Sequence, residues 1–195
     1  MLRRLYDWTM RLAAHRHATA ALFTVSFIES SVFPIPPDVL LVPMVIARRD
    51  RALWFAAICT VGSVLGGLLG YAIGHFLFEA VGRHIIAFYG AESSFESFRA
   101  LYAEWGWWIV AMAGFTPFPY KVITIASGVF GLDLTTFMLA SAVSRGARFF
   151  LEAALLWWVG PPIQRFVERN LGLAATVFFV LLFGGFLVAR ALVGG

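Results

Sequence analysis

The sequence predicts an all-α integral membrane protein. Its plan is an inverted repeat of two re-entrant broken-helix hairpins, each followed by a transmembrane helix. An N-terminal amphipathic helix and a C-terminal transmembrane helix complete it. Three observations carry that expectation. The 195-residue chain is 61% hydrophobic and 13% charged, with a mean hydropathy of +0.82, whereas soluble domains are roughly 45–50% apolar. Prolines cluster twice inside apolar surroundings, at Pro34, Pro36 and Pro37 and again at Pro117 and Pro119. The two clusters align without a gap at an offset of 83 residues, Phe33-Pro-Ile-Pro-Pro-Asp38 on Thr116-Pro-Phe-Pro-Tyr-Lys121. Proline removes a backbone donor and clashes with the preceding turn, so each cluster must break a helix. At membrane depth such breaks survive only where protein or a water-filled cavity shelters the freed backbone groups.

The elements follow in order. Residues 2–14 place Leu5, Trp8 and Leu12 at helical spacing and leave Arg3, Arg4 and Arg11 for the other faces, as in a helix lying on a membrane surface. Residues 18–28 form an apolar run too short to cross a hydrocarbon core of about 30 Å. Residues 39–47 form a second short arm beyond the break, followed by Arg48, Arg49 and Arg51. Two short arms around a break predict a re-entrant hairpin; a single bent helix over 18–47 is the alternative. Residues 52–78 are long enough to span. Their glycines at 62, 66, 70 and 74 form a small-residue stripe, for which the hairpin arms are the expected partner.

Residues 82–104 are polar and broken by Gly90, with Ser93-Ser94-Phe95-Glu96 spaced as a capping box that opens a short interfacial helix. Trp105, Trp107 and Trp108 then mark a membrane–water boundary. Residues 109–115 and 122–130 are the arms of the second hairpin, and 134–159 span. Gly160-Pro161-Pro162 is expected to end that helix, residues 164–170 to form a polar loop, and residues 171–192 to span once more. Together these make one membrane domain over 1–195. Residues 1–79 hold the first repeat, 80–105 a connector, 106–160 the second repeat and 171–193 the last span.

Arginine placement sets the orientation. With the N-terminus cytoplasmic and both hairpins re-entrant, Arg3, Arg4, Arg11, Arg16, Arg48, Arg49, Arg51, Arg165 and Arg169 fall on the cytoplasmic side. Arg83 and Arg99 fall opposite, with Arg190 near that boundary. The formal charge of +4 therefore reads as topology rather than as a nucleic-acid surface. Cys59 is the single cysteine, which excludes an intrachain disulfide. No signal peptide is read, because residues 1–11 carry Asp7 and no continuous apolar core. No cofactor or metal motif is seen.

Six ionisable residues fall in the segments assigned to the membrane: Glu29, Asp38, Lys121, Arg145, Arg148 and Glu152. Facing lipid they would be costly, so they should turn inward and pair. Arg145 and Arg148 share one helix face, and two guanidinium forks side by side suit a phosphate. Glu152 follows Arg148 by four residues, within local ion-pair reach. Glu29 and Asp38 are the candidate proton carriers; Arg145, Arg148 and Lys121 are the candidate anion ligands. The alternative is that these charges only neutralise one another, including an Asp38–Lys121 pair across the pseudo-twofold. His75 and Glu79, near a helix end, read as interfacial; Tyr71 is open.

Glu29-Ser-Ser-Val-Phe-Pro-Ile-Pro-Pro-Asp38 resembles the glutamate-plus-proline signature of the DedA family, the SNARE-associated or VTT-domain membrane proteins. Gly114-Phe-Thr-Pro-Phe-Pro-Tyr-Lys121, Ala126-Ser-Gly128 and Ser144-Arg-Gly-Ala-Arg148 resemble that family's second half, and the whole looks most like its YqaA-like branch. The resemblance implies a bacterial inner-membrane protein with two facing re-entrant hairpins. It also implies movement of lipids between leaflets, undecaprenyl phosphate among them, and proton-motive-force-dependent envelope maintenance. By that resemblance Glu29 and Asp38 match the family's two membrane acids, and Arg145 and Arg148 its paired arginines. Lys121 departs from it, standing where other branches often carry Arg.

The expected function is transport of an anionic, phosphate-bearing lipid between leaflets, coupled to protons. A small-ion or drug/proton antiporter and a non-transporting scaffold are the alternatives; a homo-oligomer is compatible with each. Catalysis is not expected. Ser127-Gly128 at a hairpin end is the one protease-like feature, but no histidine follows His84 and Ile125 replaces the first motif glycine.

Overall fold

A computed structural model describes residues 17–31, 36–82, 86, 88, 90, 92–116 and 118–169. The expected surface helix at 2–14, the last span at 171–192, and Pro34 and Pro117 lie outside the described residues. Among the described residues the chain is helical throughout. In order, α1 is Ala18–Ser31, α2 Asp38–Ala47, α3 Ala52–Leu77, α4 Glu92–Phe115, α5 Tyr120–Val129 and α6 Leu134–Arg169. A 3-10 turn at Arg49–Arg51 leads into α3, and a π-helical turn at Phe78–Gly82 follows it.

The surface of the described residues is compatible with a helical membrane protein. Leu53, Leu69, Phe76, Leu139, Leu151 and Trp158 are exposed, whereas Ser30, Ser63, Thr124, Ser127, Ser141 and Arg145 are buried. The buried polar groups sit beside an apolar core that includes Leu22, Phe55, Phe137 and Phe149; large contiguous apolar surface marks a membrane or partner face. One helical run among the described residues, Arg49–Ala80, is by itself long and apolar enough to cross a bilayer, with a mean hydropathy of 2.0.

Helix α3 is the axis of the fold. Its glycine stripe packs on one side against α1 and on the other against α5. A Cβ at Gly66 would collide with the Phe27 carbonyl, and one at Gly62 would sit 2.8 Å from the Phe23 oxygen. Farther along, a Cβ at Gly74 would collide with the Ile125 carbonyl. The hairpin arms are thus the partner of the stripe, as its spacing predicts. On α5, Gly128 meets the Tyr71 carbonyl of α3 in the same manner, so the Ser127-Gly128 pair is a packing feature here. The second arms cross over: α5 packs on α3, and α2 rests chiefly on α6. Helix boundaries recur as well. Ser31 and Phe115 end the first arms, Asp38 and Tyr120 open the second, and Ala52 and Leu134 open the long helices, each pair within one residue of the proline offset.

Three expectations are corrected. The interfacial helix and the first arm of the second hairpin are one continuous helix, α4, which begins at Glu92 with Ser93 already inside it. No break was needed there, because Trp105-Gly106-Trp107-Trp108 contains no proline, and Gly106 instead receives the Leu132 side chain. Helix α6 does not end at Gly160-Pro161-Pro162; its backbone stays helical to Arg169, through the expected loop. Proline's fixed φ is helical, and two missing donors are tolerated in membrane helices more readily than in soluble ones. Finally, α1 carries Glu29, Ser30 and Ser31 as its last turn rather than stopping at 28.

The exit from the second hairpin is locked by its own backbone. Gly131 has φ +69, and the Leu132 and Gly131 amides donate to the Ser127 and Gly128 carbonyls at 3.0 and 3.2 Å. That is a Schellman C-cap. Asp133 then caps α6, its Oδ2 accepting from the Thr136 amide at 2.8 Å and hydroxyl at 3.0 Å; these bonds hold its carboxyl below the ordinary range. Tyr71 donates to the Leu132 carbonyl at 2.6 Å, which ties the turn to α3. Gly131→Ala should lower stability by about 1 kcal/mol, the cost of a Cβ in the left-handed region, read as a lower melting temperature in detergent.

Candidate functional site: a charge cluster between the two breaks

Each half of the site begins where a helix stops. Pro36 and Pro37 precede α2, so Asp38 stands in its first turn, where a carboxylate is favoured by the helix dipole. Glu29 stands in the last turn of α1, on the other side of the break. Helix α6 passes both, with Arg145, Arg148 and Glu152 three and four residues apart along it.

Arg145 is enclosed, its side chain 3% exposed. Its Nε donates to Ser63 Oγ at 2.6 Å and its Nη2 to Glu29 Oε2 at 3.2 Å. The guanidinium lies between two rings, with Cζ 4.9 Å from the Tyr120 centroid and 4.6 Å from that of Phe149. Ser63 Oγ is 2.6 Å from Ser30 Oγ, and Ser30 in turn donates to Glu29 Oε2 at 3.1 Å. A closed polar ring therefore joins α1, α3 and α6. Ser26 extends it along α1, donating to the Cys59 carbonyl at 2.7 Å. Sequence reasoning passed over these serines. Their signal was present: Ser26 and Ser30 stand four apart in an otherwise apolar arm, and Ser63 lies beside the glycine stripe.

Arg148 is placed differently, with its side chain 26% exposed and that of Asp38 23%. Its Nη2 donates to Asp38 Oδ2 at 2.8 Å, and its Nη1 makes a long contact of 3.4 Å to the Thr116 carbonyl just past α4. One guanidinium thus touches both breaks. The carbonyl at the end of α1 is covered symmetrically, with Thr124 Oγ1 of α5 at 3.3 Å from the Ser30 oxygen. These are the sheltering contacts that broken helices require.

Two expected pairings do not form. Arg148 makes no ion pair with Glu152 four residues on among the described residues; it bonds Asp38 instead. Tertiary packing wins because α2 brings its first-turn carboxylate to 2.8 Å from the guanidinium. Lys121 makes no ion pair among the described residues, with Asp38 or any other acid, so the cross-repeat pair is absent. It lies on the first turn of α5, where its carbonyl accepts from Thr124 at 2.9 Å. Of the five candidate site residues, the structure brings together Glu29, Asp38, Arg145 and Arg148. Pro36, Pro37 and Pro119 flank the helix starts as expected.

This is a helical membrane protein with a partly open charge cluster between two broken helices. The VTT domain model matches residues 35–157, a span that contains the cluster apart from Glu29. The chain is 37% identical over 185 residues to an uncharacterized protein of Haemophilus influenzae, covering 91% of this chain and 96% of that one. It is 43% identical over 156 residues to an uncharacterized protein of Histophilus somni, covering 80% and 81%. A more distant match, 25% over 125 residues, is an uncharacterized protein of Methanocaldococcus jannaschii, covering 64% of this chain and 74% of that one. The chain belongs to the VTT-domain, or DedA, family. No solved structure matches it.

Proposed function

We propose that the protein moves an anionic, phosphate-bearing lipid between the leaflets of a bacterial inner membrane, with protons as the coupling ion. The observation that carries this reading is the contrast between the two arginines. Arg145 is committed on every side, whereas Arg148 is a quarter exposed and shared between an acid and a weakly held carbonyl. A guanidinium in that state can exchange its protein partners for a phosphate oxygen pair with little loss of hydrogen bonding. The two paired arginines of the sequence reading therefore divide their work. Arg148 grips the headgroup; Arg145 holds Glu29, Ser63 and the rings that wall the site.

Under this reading the two hairpins are re-entrant, enter from opposite faces and meet at mid-membrane, with the N-terminus cytoplasmic. The recurrence of helix boundaries and the crossing of the second arms support that arrangement. Purified protein in vesicles carrying headgroup-labelled lipids tests the function. Arg148→Ala should insert normally and lose lipid translocation, and Glu29→Gln, which leaves the buried Arg145 a hydrogen-bond partner, should lose it as well; wild-type rates in both would refute the proposal. Running the assay with and without a pH gradient separates lipid movement from ion or drug exchange. A protein that carries ions but no lipid would favour an antiporter.

A further inference from the structure

Three arginines fall within four residues, Arg48, Arg49 and Arg51, where α2 turns into α3. The charge cluster uses none of them. The backbone folds tightly here: the Arg48 amide donates to the Met44 carbonyl and the Arg51 amide to the Arg48 carbonyl, each at 3.0 Å. In a 3-10 turn, residues three apart are eclipsed, so Arg48 and Arg51 stand side by side. Asp50 is the one acid of the turn. Its contact with Arg51 Nε is long, 3.9 Å, between side chains that are both more than half exposed, and such a pair contributes little. Three arginines against one aspartate leave the turn a formal +2.

Arg49 shows what that charge is aimed at. Its side chain is half-buried, and its Nε is buried with no hydrogen-bond partner among the described residues. A guanidinium stays charged, and one of its donors shut away from water without an acceptor is costly. The nearby acid, Asp50, turns to Arg51 instead. The surroundings narrow the kind of anion that suits this donor. Leu53 and Trp54, in the first turn of α3, are exposed. Trp157 and Trp158 of α6 are exposed too, and Leu156 beside them joins the buried cluster of Val45, Ala52 and Phe55. The tryptophans therefore stand near the level of the arginine turn, the composition of a membrane–water boundary.

We propose that the Arg48–Arg51 turn binds an anionic phospholipid that stays at the membrane boundary, at a site separate from the charge cluster. Its phosphate lies between Arg49 and the adjacent pair Arg48 and Arg51, whose forks match phosphate oxygens. Its acyl chains cover Leu53 and Trp54. The lipid thereby braces the joint between α2 and α3. Asp38 stands at the other end of α2, ten residues or about 15 Å away, so the lipid steadies that arm without touching its acid. The site requires a membrane but not the transport reading.

Native mass spectrometry of the purified full chain tests the site, with phosphatidylglycerol and phosphatidylcholine of the same acyl chains as probes. Arg148→Ala is the reference, because its charge cluster no longer offers that grip to a phosphate. It should retain phosphatidylglycerol in preference to phosphatidylcholine. Adding Arg49→Gln should weaken phosphatidylglycerol binding about fivefold, the worth of one arginine at an anionic surface. Adding Arg51→Gln instead should do the same, and its 54% exposed side chain makes it the safer change for folding. Dimethyl phosphate, followed by calorimetry, should bind far more weakly than the lipid. Equal retention of the two lipids, or unchanged phosphatidylglycerol binding in either arginine variant, overturns the proposal; if Arg49→Gln fails to fold, Arg51→Gln decides. Release of phosphatidylglycerol by Arg148→Ala alone would assign the lipid to the charge cluster and overturn a separate site. Dimethyl phosphate binding as tightly as the lipid would make the turn a site for a free phosphate ester and overturn the lipid assignment.

Discussion

Arg145→Ala is expected to unfold or misassemble the protein, whereas Arg148→Ala is expected to leave it folded and inactive. The difference follows from enclosure. Removing the Arg145 side chain strips Ser63 of a donor at 2.6 Å and Glu29 of its one cation among the described residues. It also leaves a void between the Tyr120 and Phe149 rings, both buried. Breaking a buried pair by deleting one partner typically costs about 3–5 kcal/mol, enough to consume much of a domain's stability of about 5–15 kcal/mol. The partner groups of Arg148 are partly exposed, so water can solvate Asp38 once the guanidinium is gone. A double substitution separates structure from function further. Arg145→Met with Glu29→Leu replaces the pair by apolar groups of similar size, a change often neutral or stabilising. It should recover the melting temperature lost in Arg145→Ala without recovering lipid translocation. Recovery of both would mean that the pair is structural only.

The structural frame was legible because the residues that build it act locally. Proline is disfavoured in a helix interior and suits its start, so Pro36, Pro37 and Pro119 marked the starts of α2 and α5 directly. A glycine every four residues makes one continuous face whatever its neighbours, so the α3 stripe announced a close backbone contact. Gly160-Pro161-Pro162 misled for the same reason: local chemistry said stop, and the helix continued to Arg169. The pairings inside the site were less legible. Arg148 could reach Glu152 on its own helix or an acid from another, and the choice depends on where α2 rests on α6. Nothing in the residue spacing states that. Arg145 and Arg148 likewise read as equivalent in sequence, and only packing makes one a wall and the other a grip. Ser30 and Ser63 were overlooked because small residues at helical spacing read as packing residues until α1 is laid against α3 and their hydroxyls meet.

Gly66→Val is expected to cost as much as any single change in the fold and to abolish transport, although Gly66 touches no charge. Its added atoms would meet the Phe27 carbonyl and its Cα, which are backbone and cannot rotate away. Overpacking a well-packed core costs about 1–3 kcal/mol when side chains can adjust, and here α1 as a whole must move. Glu29 and Ser30 stand two and three residues beyond Phe27 on the same helix. Displacing α1 therefore pulls Ser30 from Ser63 and Glu29 from Arg145, and the polar ring opens. Gly74→Val should act on the other arm, driving α5 off through the Ile125 carbonyl and taking Tyr120 from beneath Arg145. Gly146→Ala is the contrasting case. That glycine lies beside Arg145 in sequence, but its added Cβ would stand 3.7 Å from Thr60 Cγ2, an ordinary contact. It should keep wild-type melting and transport. If Gly66→Val kept transport, or if Gly146→Ala lost it, then close approach of the arms to α3 would not be what positions the charges.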